Sequence, residues 1–277
     1  MGVIEATPSR KSLPARLGAG LVGSLRGVGS SLFDLVFPRK CAGCERSGLQ
    51  APERFWCSDC LGSIQYIRSP LCTLCGKPFP KSPDSPDHLC GECLLSTFHF
   101  DLARSAAVHA GVVRDSVHAL KFGGRLHHLP ALVQLLIECV ELAPHAWEGT
   151  IVPVPLHTRR LRQRGFNQAG LLARELGRRL QTTVRFDVLR RKQWTEPQTR
   201  LNREARLSNV RKAFEVALPG EVKDGRIVLL DDVYTTGSTL SECAGELKRA
   251  GAREVVALTV TRSVPELNLP SEAVQEI

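Results

Sequence analysis

Arg226-Ile-Val-Leu-Leu-Asp-Asp-Val-Tyr-Thr-Thr-Gly-Ser-Thr-Leu240 decides the fold. Ile227 to Leu230 form a short, wholly apolar run, the pattern of a strand buried on both faces. Asp231 and Asp232 end that run, Val233 and Tyr234 follow, and a helix is expected from about Ser238. Between strand and helix lies a turn of Thr235, Thr236, Gly237, Ser238 and Thr239. Backbone N–H groups of such a turn, its hydroxyls and the helix N-terminus together make a nest for a dianionic phosphate. Gly237 lets the backbone approach the anion closely. The two acids then stand where they can accept hydrogen bonds from vicinal sugar hydroxyls, so the expected ligand is a phosphorylated pentose. A plain N-capped helix after a core strand accounts for the serine, but not for two acids followed by five small or hydroxyl residues. The pocket requires the acids to reach solvent and the turn's amides to be free of protein acceptors. No G-x-x-x-x-G-K-S/T occurs, which excludes a P-loop nucleotidase.

Outward from this segment, short apolar runs alternate with helical patterns. Strands are expected at Ala106–Ala110, Ile151–Val154, Ile227–Leu230 and Val255–Val260, and helices near Val112–Lys121, Leu129–Leu142, Asn167–Leu180 and Ser238–Ala250. That alternation predicts βαβ units, hence an α/β fold with a parallel sheet flanked by helices. Ligands of such sheets sit beyond the carboxyl ends of the strands.

The N-terminal third obeys another logic. Eight of the ten cysteines form four C-x-x-C pairs: Cys41/Cys44, Cys57/Cys60, Cys72/Cys75 and Cys90/Cys93. Two such turns close a tetrahedral site of four thiolates, which leaves no position for water and makes the metal structural. Two zinc ions are the expected cofactors, in a small double zinc-ribbon module that replaces an apolar core with metal. Pairing in sequence order is preferred, and a cross-braced arrangement stays open. Disulfides suit an oxidising compartment, an iron–sulfur cluster fits the even spacing less well, and a thioredoxin-like motif needs one pair rather than four. Cys139 and Cys243 fall on apolar helical faces as small core residues. The expected organisation is a weakly structured stretch 1–30, a ribbon module 31–98 opening with the apolar segment Leu32–Phe37, an α/β domain 99–265 and a tail 266–277.

Net charge is +9, but residues 151 to 215 alone hold 16 Arg/Lys against 5 Asp/Glu, which points to an anionic partner. Aromatic content of 5% argues against a stacking-rich nucleic-acid platform. No apolar run is long enough to span a membrane, and the N-terminal text reads as neither a secretory signal nor a myristoylation site. A cytoplasmic location is expected.

Residues 226–240 resemble the phosphoribosyl-pyrophosphate signature of type I phosphoribosyltransferases. Val152-Pro-Val-Pro-Leu-His157, Arg164-Gly-Phe-Asn-Gln168 and Gln198-Thr-Arg-Leu-Asn-Arg-Glu-Ala-Arg-Leu-Ser-Asn-Val210, with the cysteine pairs ahead of them, are similar to the ComF family. The resemblance implies that Asp231 and Asp232 contact the ribose hydroxyls and that residues 233–239 hold the 5-phosphate. It places pyrophosphate on the loop His157, Thr158, Arg159 and Arg160, whose guanidinium forks suit phosphate oxygens, and it implies a non-proline cis peptide there. Gln198, Arg203 and Arg206 are expected in the flexible loop of this class, with a solvated helical face as the competing reading; Arg164 and Asn167 are expected to brace the pyrophosphate loop, Asn167 equally as a helix cap, and Lys121 and Arg125 to stand near phosphate. Implied with these are magnesium, phosphoribosyl pyrophosphate as ligand, and displacement of pyrophosphate at the anomeric carbon. ComF proteins are associated with single-stranded DNA uptake in natural competence, so single-stranded DNA and the competence machinery at the inner face of the membrane join the expected partners. The alternatives are a non-catalytic single-stranded DNA adaptor and a phosphoribosyltransferase of nucleotide metabolism. An amidophosphoribosyltransferase is disfavoured, because no cysteine follows Met1 and zinc ligands fill the N-terminal region.

Overall fold

A computed structural model describes residues 39–49, 55–80, 86–192 and 213–264. The stretch 1–30, the segment Leu32–Phe37, the flexible-loop residues Gln198, Arg203 and Arg206, and the tail 266–277 lie outside the described residues. Two short helices belong to the cysteine region, α1 (Ser58–Gly62) and α2 (Gly91–Leu95). The α/β domain follows as β1 (Leu102–Val108), α3 (Gly111–Gly123), α4 (Leu129–Glu141), β2 (Thr150–Pro153), α5 (Thr158–Arg164), α6 (Gln168–Leu180), β3 (Leu189–Arg191), β4 (Phe214–Val216), β5 (Arg226–Tyr234), α7 (Ser238–Arg249) and β6 (Glu254–Arg262).

β1, β6, β5 and β2 form one sheet in that order, parallel throughout, while β3 and β4 pair as a separate antiparallel ribbon. The continuous apolar runs are explained by helices on both faces. Val228 and Leu230 of β5 face the layer of α4 and α6, whereas Ile227 and Leu229 face α7. This is the strand period of two written into a core covered on both sides.

Three strands, β1, β5 and β6, are longer than their apolar runs. β5 continues through both acids because β6 stays paired with it as far as Tyr234 opposite Arg262. β1 starts at Leu102 rather than Ala106 and ends at Val108, and it carries a buried Ser105. That hydroxyl is tolerated because it meets Thr259 Oγ1 at 2.6 Å on the neighbouring strand.

The sheet's β1 edge is not left open. Tyr66 bridges Ala107 in antiparallel sense, with the Ile67 amide donating to Ala106 O (3.0 Å) and the Val108 amide to Gln65 O (2.8 Å). The cysteine region is thus built onto the sheet.

Candidate functional site

β5 and β2 are neighbours, so their carboxyl ends bring together the acid doublet and the loop from Val154 to Arg160. Asp232 is 5% exposed and its Oδ2 lies 3.1 Å from Lys121 Nζ. The same oxygen accepts from Gln168 Nε2 (3.3 Å), and Gln168 Oε1 accepts from Arg164 Nη1 (2.7 Å). Asp231 keeps part of its surface, and its Oδ1 accepts from the Asp232 amide (2.9 Å). Burial and the neighbouring Asp232 charge push Asp231 well above the ordinary carboxylate value. Burial also works against Asp232, but the Lys121 ammonium outweighs it and holds this carboxyl below its usual value. The doublet is therefore asymmetric, one carboxyl raised and the other lowered, as expected when two carboxylates share a site.

Both acids were expected to face solvent; Asp232 instead faces Lys121. The turn behind them is open. Thr235 is exposed, and among the described residues the amides of Thr235, Thr236 and Gly237 donate to no protein acceptor. Thr236 Oγ1 meets Ser238 Oγ at 2.7 Å and also accepts from the Ser238 amide at 3.4 Å, which holds the hydroxyls at the start of α7. Gly237 has φ +74°, and a Cβ there would lie 2.3 Å from Tyr234 Oη, so only glycine fits. Thr239 is partly exposed on the first turn of α7, and Val233 is partly buried. Tyr234 turns its side chain into the core against Phe100 and Arg262, so only its backbone is available to the turn.

The string Arg164 to Gln168 folds as a brace between the two loops. Gly165 ends α5 with φ +81°. Asn167 accepts from the Ala169 amide (3.1 Å), capping α6, and donates Nδ2 to Val154 O (3.0 Å), fixing the start of the β2 loop. Gln168, which contacts Asp232 alongside Lys121, is a site residue the sequence reading misses; the available signal is a glutamine at the first position of a helix, directly after its Asn cap. Arg125, expected near phosphate, instead pairs with Glu45 of the cysteine region.

In the pyrophosphate loop, one expectation is overturned. Among the described residues the one cis peptide is Ser69–Pro70, so Leu156 to Arg160 are trans throughout. Extended backbone at His157 (φ −63°, ψ 143°) makes the turn, and its Nδ1 accepts from the Arg159 amide (3.2 Å) to cap α5. Thr158, Arg159 and Arg160 therefore lie on the first turn of that helix, with Arg159 exposed and Arg160 partly buried. Arg164 and Arg191 lie where burial opposes their charge, and both sense Arg160; Arg164 also senses Asp232, and Arg191 senses Asp231. Lys121, Arg160, Arg164 and Arg191 give this end of the sheet the positive field an anion requires.

The cysteines gather in two separate clusters. Cys41, Cys44, Cys57 and Cys60 converge, as do Cys72, Cys75, Cys90 and Cys93, in the sequential pairing. No disulfide joins any of them. A zinc–sulfur bond of about 2.3 Å gives a tetrahedron with sulfur–sulfur edges of about 3.8 Å. Cys44 and Cys57 lie 3.8 Å apart and Cys75 and Cys90 3.7 Å, so the residues fit the metal. Amides point at the sulfurs, Cys57 N to Cys41 Sγ at 3.2 Å and Cys90 N to Cys72 Sγ at 3.3 Å. Burial raises these thiols, yet the amide bonds bring Cys41 down to about 7 and Cys72 to about 6. Such thiols are poised to ligate as thiolates.

A sheet ending in an acid doublet and an open hydroxyl turn, preceded by two four-thiol sites, defines a phosphoribosyltransferase-fold protein with a double zinc ribbon. Family models agree: residues 32–94 match the double zinc ribbon domain and residues 161–274 the phosphoribosyl transferase domain. The chain is 35% identical over 216 residues to the DNA utilization protein YhgH of Escherichia coli, covering 75% of this chain and 90% of that one. It is 29% identical to competence protein F of Haemophilus influenzae (76% and 97% covered) and 27% identical to competence protein ComFC of Bacillus subtilis (78% and 87%). The chain belongs to the ComF family.

Proposed function

We propose that this protein binds phosphoribosyl pyrophosphate with magnesium at the carboxyl end of β5 and acts, as a phosphoribosyltransferase-fold protein, in the handling of incoming DNA. The observation that carries the proposal is the open hydroxyl turn beside an asymmetric acid pair. The 5-phosphate takes the free amides of residues 235–237 and the hydroxyls at the α7 N-terminus. Asp231 meets one sugar hydroxyl directly. Asp232 meets the other when Lys121 swings off it toward a phosphate oxygen. Arg159 and Arg160 hold the pyrophosphate, and the segment of Gln198, Arg203 and Arg206 covers the sugar. Magnesium, when bound with the ligand, neutralises charge on the departing pyrophosphate. The acid pair favours positive charge developing on the ribose ring. The names of the relatives, DNA utilization protein and competence protein, support a place in DNA uptake or use. A cytoplasmic site of action at the inner face of the membrane belongs to the same proposal.

Titration calorimetry with magnesium and phosphoribosyl pyrophosphate on the full chain tests this. Saturable binding that is lost in Asp231→Ala/Asp232→Ala is expected; no heat with the parent protein overturns it. The basic surplus of residues 151–215 favours a second reading, a non-catalytic adaptor that lays single-stranded DNA along the same cleft. That reading expects DNA affinity falling steeply with salt and surviving the double alanine variant.

A further inference from the structure

Glu45, His127 and His128 lie outside both the acid doublet and the two thiol sites, and one ligand atom from each falls within 4.8 Å of the other two. Glu45 closes the first cysteine turn, its amide donating to Cys41 O at 2.9 Å. His127 and His128 occupy the single 3-10 turn Leu126–His128 that leads into α4, with ring centroids 4.1 Å apart. Their chemistry is mismatched to their surroundings. His128 is 2% exposed, and neither of its ring nitrogens has a hydrogen-bond partner. The Ala42 carbonyl lies near enough to favour a proton on that ring, yet it makes no hydrogen bond with it. Buried imidazoles are ordinarily paired, so a doubly orphaned one calls for a missing partner.

Two imidazoles and one carboxylate are a donor set for a borderline divalent ion, and three protein ligands leave a fourth position open. Metal–ligand bonds of about 2.0–2.2 Å put such donor atoms within about 3.6 Å of each other. Glu45 and His127 are exposed and free to close that small gap by rotation, while His128 is fixed. Burial, and then the neighbouring His127, keep His128 neutral with a lone pair available. Arg125 meanwhile pairs with the Glu45 carboxylate, so it competes for the one anionic donor of the set.

We propose that Glu45, His127 and His128 form a third metal site, for a divalent ion of the Zn2+ or Co2+ kind, that ties the first ribbon to the α/β domain. The two ribbons supply only Glu45 to it, so it loads independently of them. The ion displaces Arg125 from Glu45 and gives His128 its missing partner.

Cobalt(II) added to the zinc-replete full chain tests the proposal, followed by calorimetry and visible absorption. The expected result is one saturable equivalent with d–d bands and no thiolate-to-cobalt charge transfer. His127→Gln and Glu45→Gln, both at exposed positions, each weaken it at least tenfold; His118→Ala leaves it unchanged; Arg125→Ala strengthens it by removing the competitor. His128→Leu abolishes it, and should that variant fail to fold, the two exposed variants still decide. Absence of a saturable equivalent, a thiolate charge-transfer band, or retained affinity in either His127→Gln or Glu45→Gln overturns the site.

Discussion

The first ribbon packs Cys41, Cys57 and Cys60 into the core shared with α3, α4 and α6, and holds Cys44 out to solvent. The second lies in the core on the other face of the sheet, with all four cysteines buried among Phe100, Tyr234, Leu240 and Ala244. Each has an arginine beside it. Arg46 of the first reaches Asp59 at 3.5 Å in the open. Arg262, at the end of β6, is 3% exposed, donates to Cys75 O (2.7 Å) and Cys75 Sγ (3.4 Å), and stacks 4.0 Å over Tyr234. Tyr234 in turn lies under Gly237, and Phe98 closes on the same glycine. The same C-x-x-C pairs thus yield an edge brace in one place and the floor of the hydroxyl turn in the other. What differs is the neighbour each ribbon is given, and through Arg262 and Tyr234 the thiols of the second ribbon are linked to the hydroxyl turn.

The sharpest way to break this comparison is to remove metal from each ribbon separately. Loss of a structural zinc withdraws on the order of 10 kcal/mol of binding free energy that is also folding free energy. Cys93→Ser is expected to abolish both cooperative thermal unfolding and phosphoribosyl-pyrophosphate binding. Cys44→Ser, at the exposed ligand, lowers the melting temperature but leaves binding measurable at low temperature; equal loss of binding in both would show that the ribbons are equivalent.

Next in size is the pair of arginines. Arg262→Met leaves a buried sulfur and carbonyl without their cation and lowers stability by about 3–5 kcal/mol in a denaturant titration. Arg46→Ala gives no resolvable change, its ion pair being exposed and screened. At the turn, Gly237→Ala drives a methyl into Tyr234 in a left-handed conformation and costs about 3 kcal/mol; calorimetry is expected to show ligand binding lost as well.

The smallest expected effect concerns Asp231. Its folded-state value is raised, by burial first and Asp232 second. Its contribution is therefore full below the ordinary carboxylate value and is lost as pH rises through the folded-state value. Asp232 has the opposite sign, contributing above the ordinary value and losing that as pH falls through its depressed one. Asp231→Asn holds the first acid neutral and is expected to raise stability at pH 8 by about 1 kcal/mol while weakening ligand binding. Melting temperatures across pH 5 to 9 check this, and an unchanged profile would remove the asymmetry from the acid pair.

Much of this was legible in one dimension because it rests on local rules. Apolar runs of four to six residues, spaced by amphipathic segments, marked four strands and four helices, with strand ends displaced where Ser105 and Thr261 interrupt the pattern. Those two residues look like loop in sequence and are strand in space, because Ser105 meets Thr259 on the next strand and Thr261 meets His109 just past the end of β1. The hydroxyl turn was legible for a related reason: its parts are contiguous in the chain.

What required the tertiary structure was every pairing across long separations. Nothing along the chain says that Lys121 meets Asp232, that Gln168 rather than solvent takes the same oxygen, or that Arg125 leaves the site for Glu45. Nor does it say that Arg262 sits on Cys75, 187 residues away. The sequence by itself determined which segments bury, which cysteines converge and where a hydroxyl-rich turn follows an acid pair, since those follow from periodicity, spacing and the chemistry of adjacent groups. The tertiary structure alone decided which charge faces which, because a buried charge takes its partner from whatever the packing of distant helices and strands brings within reach.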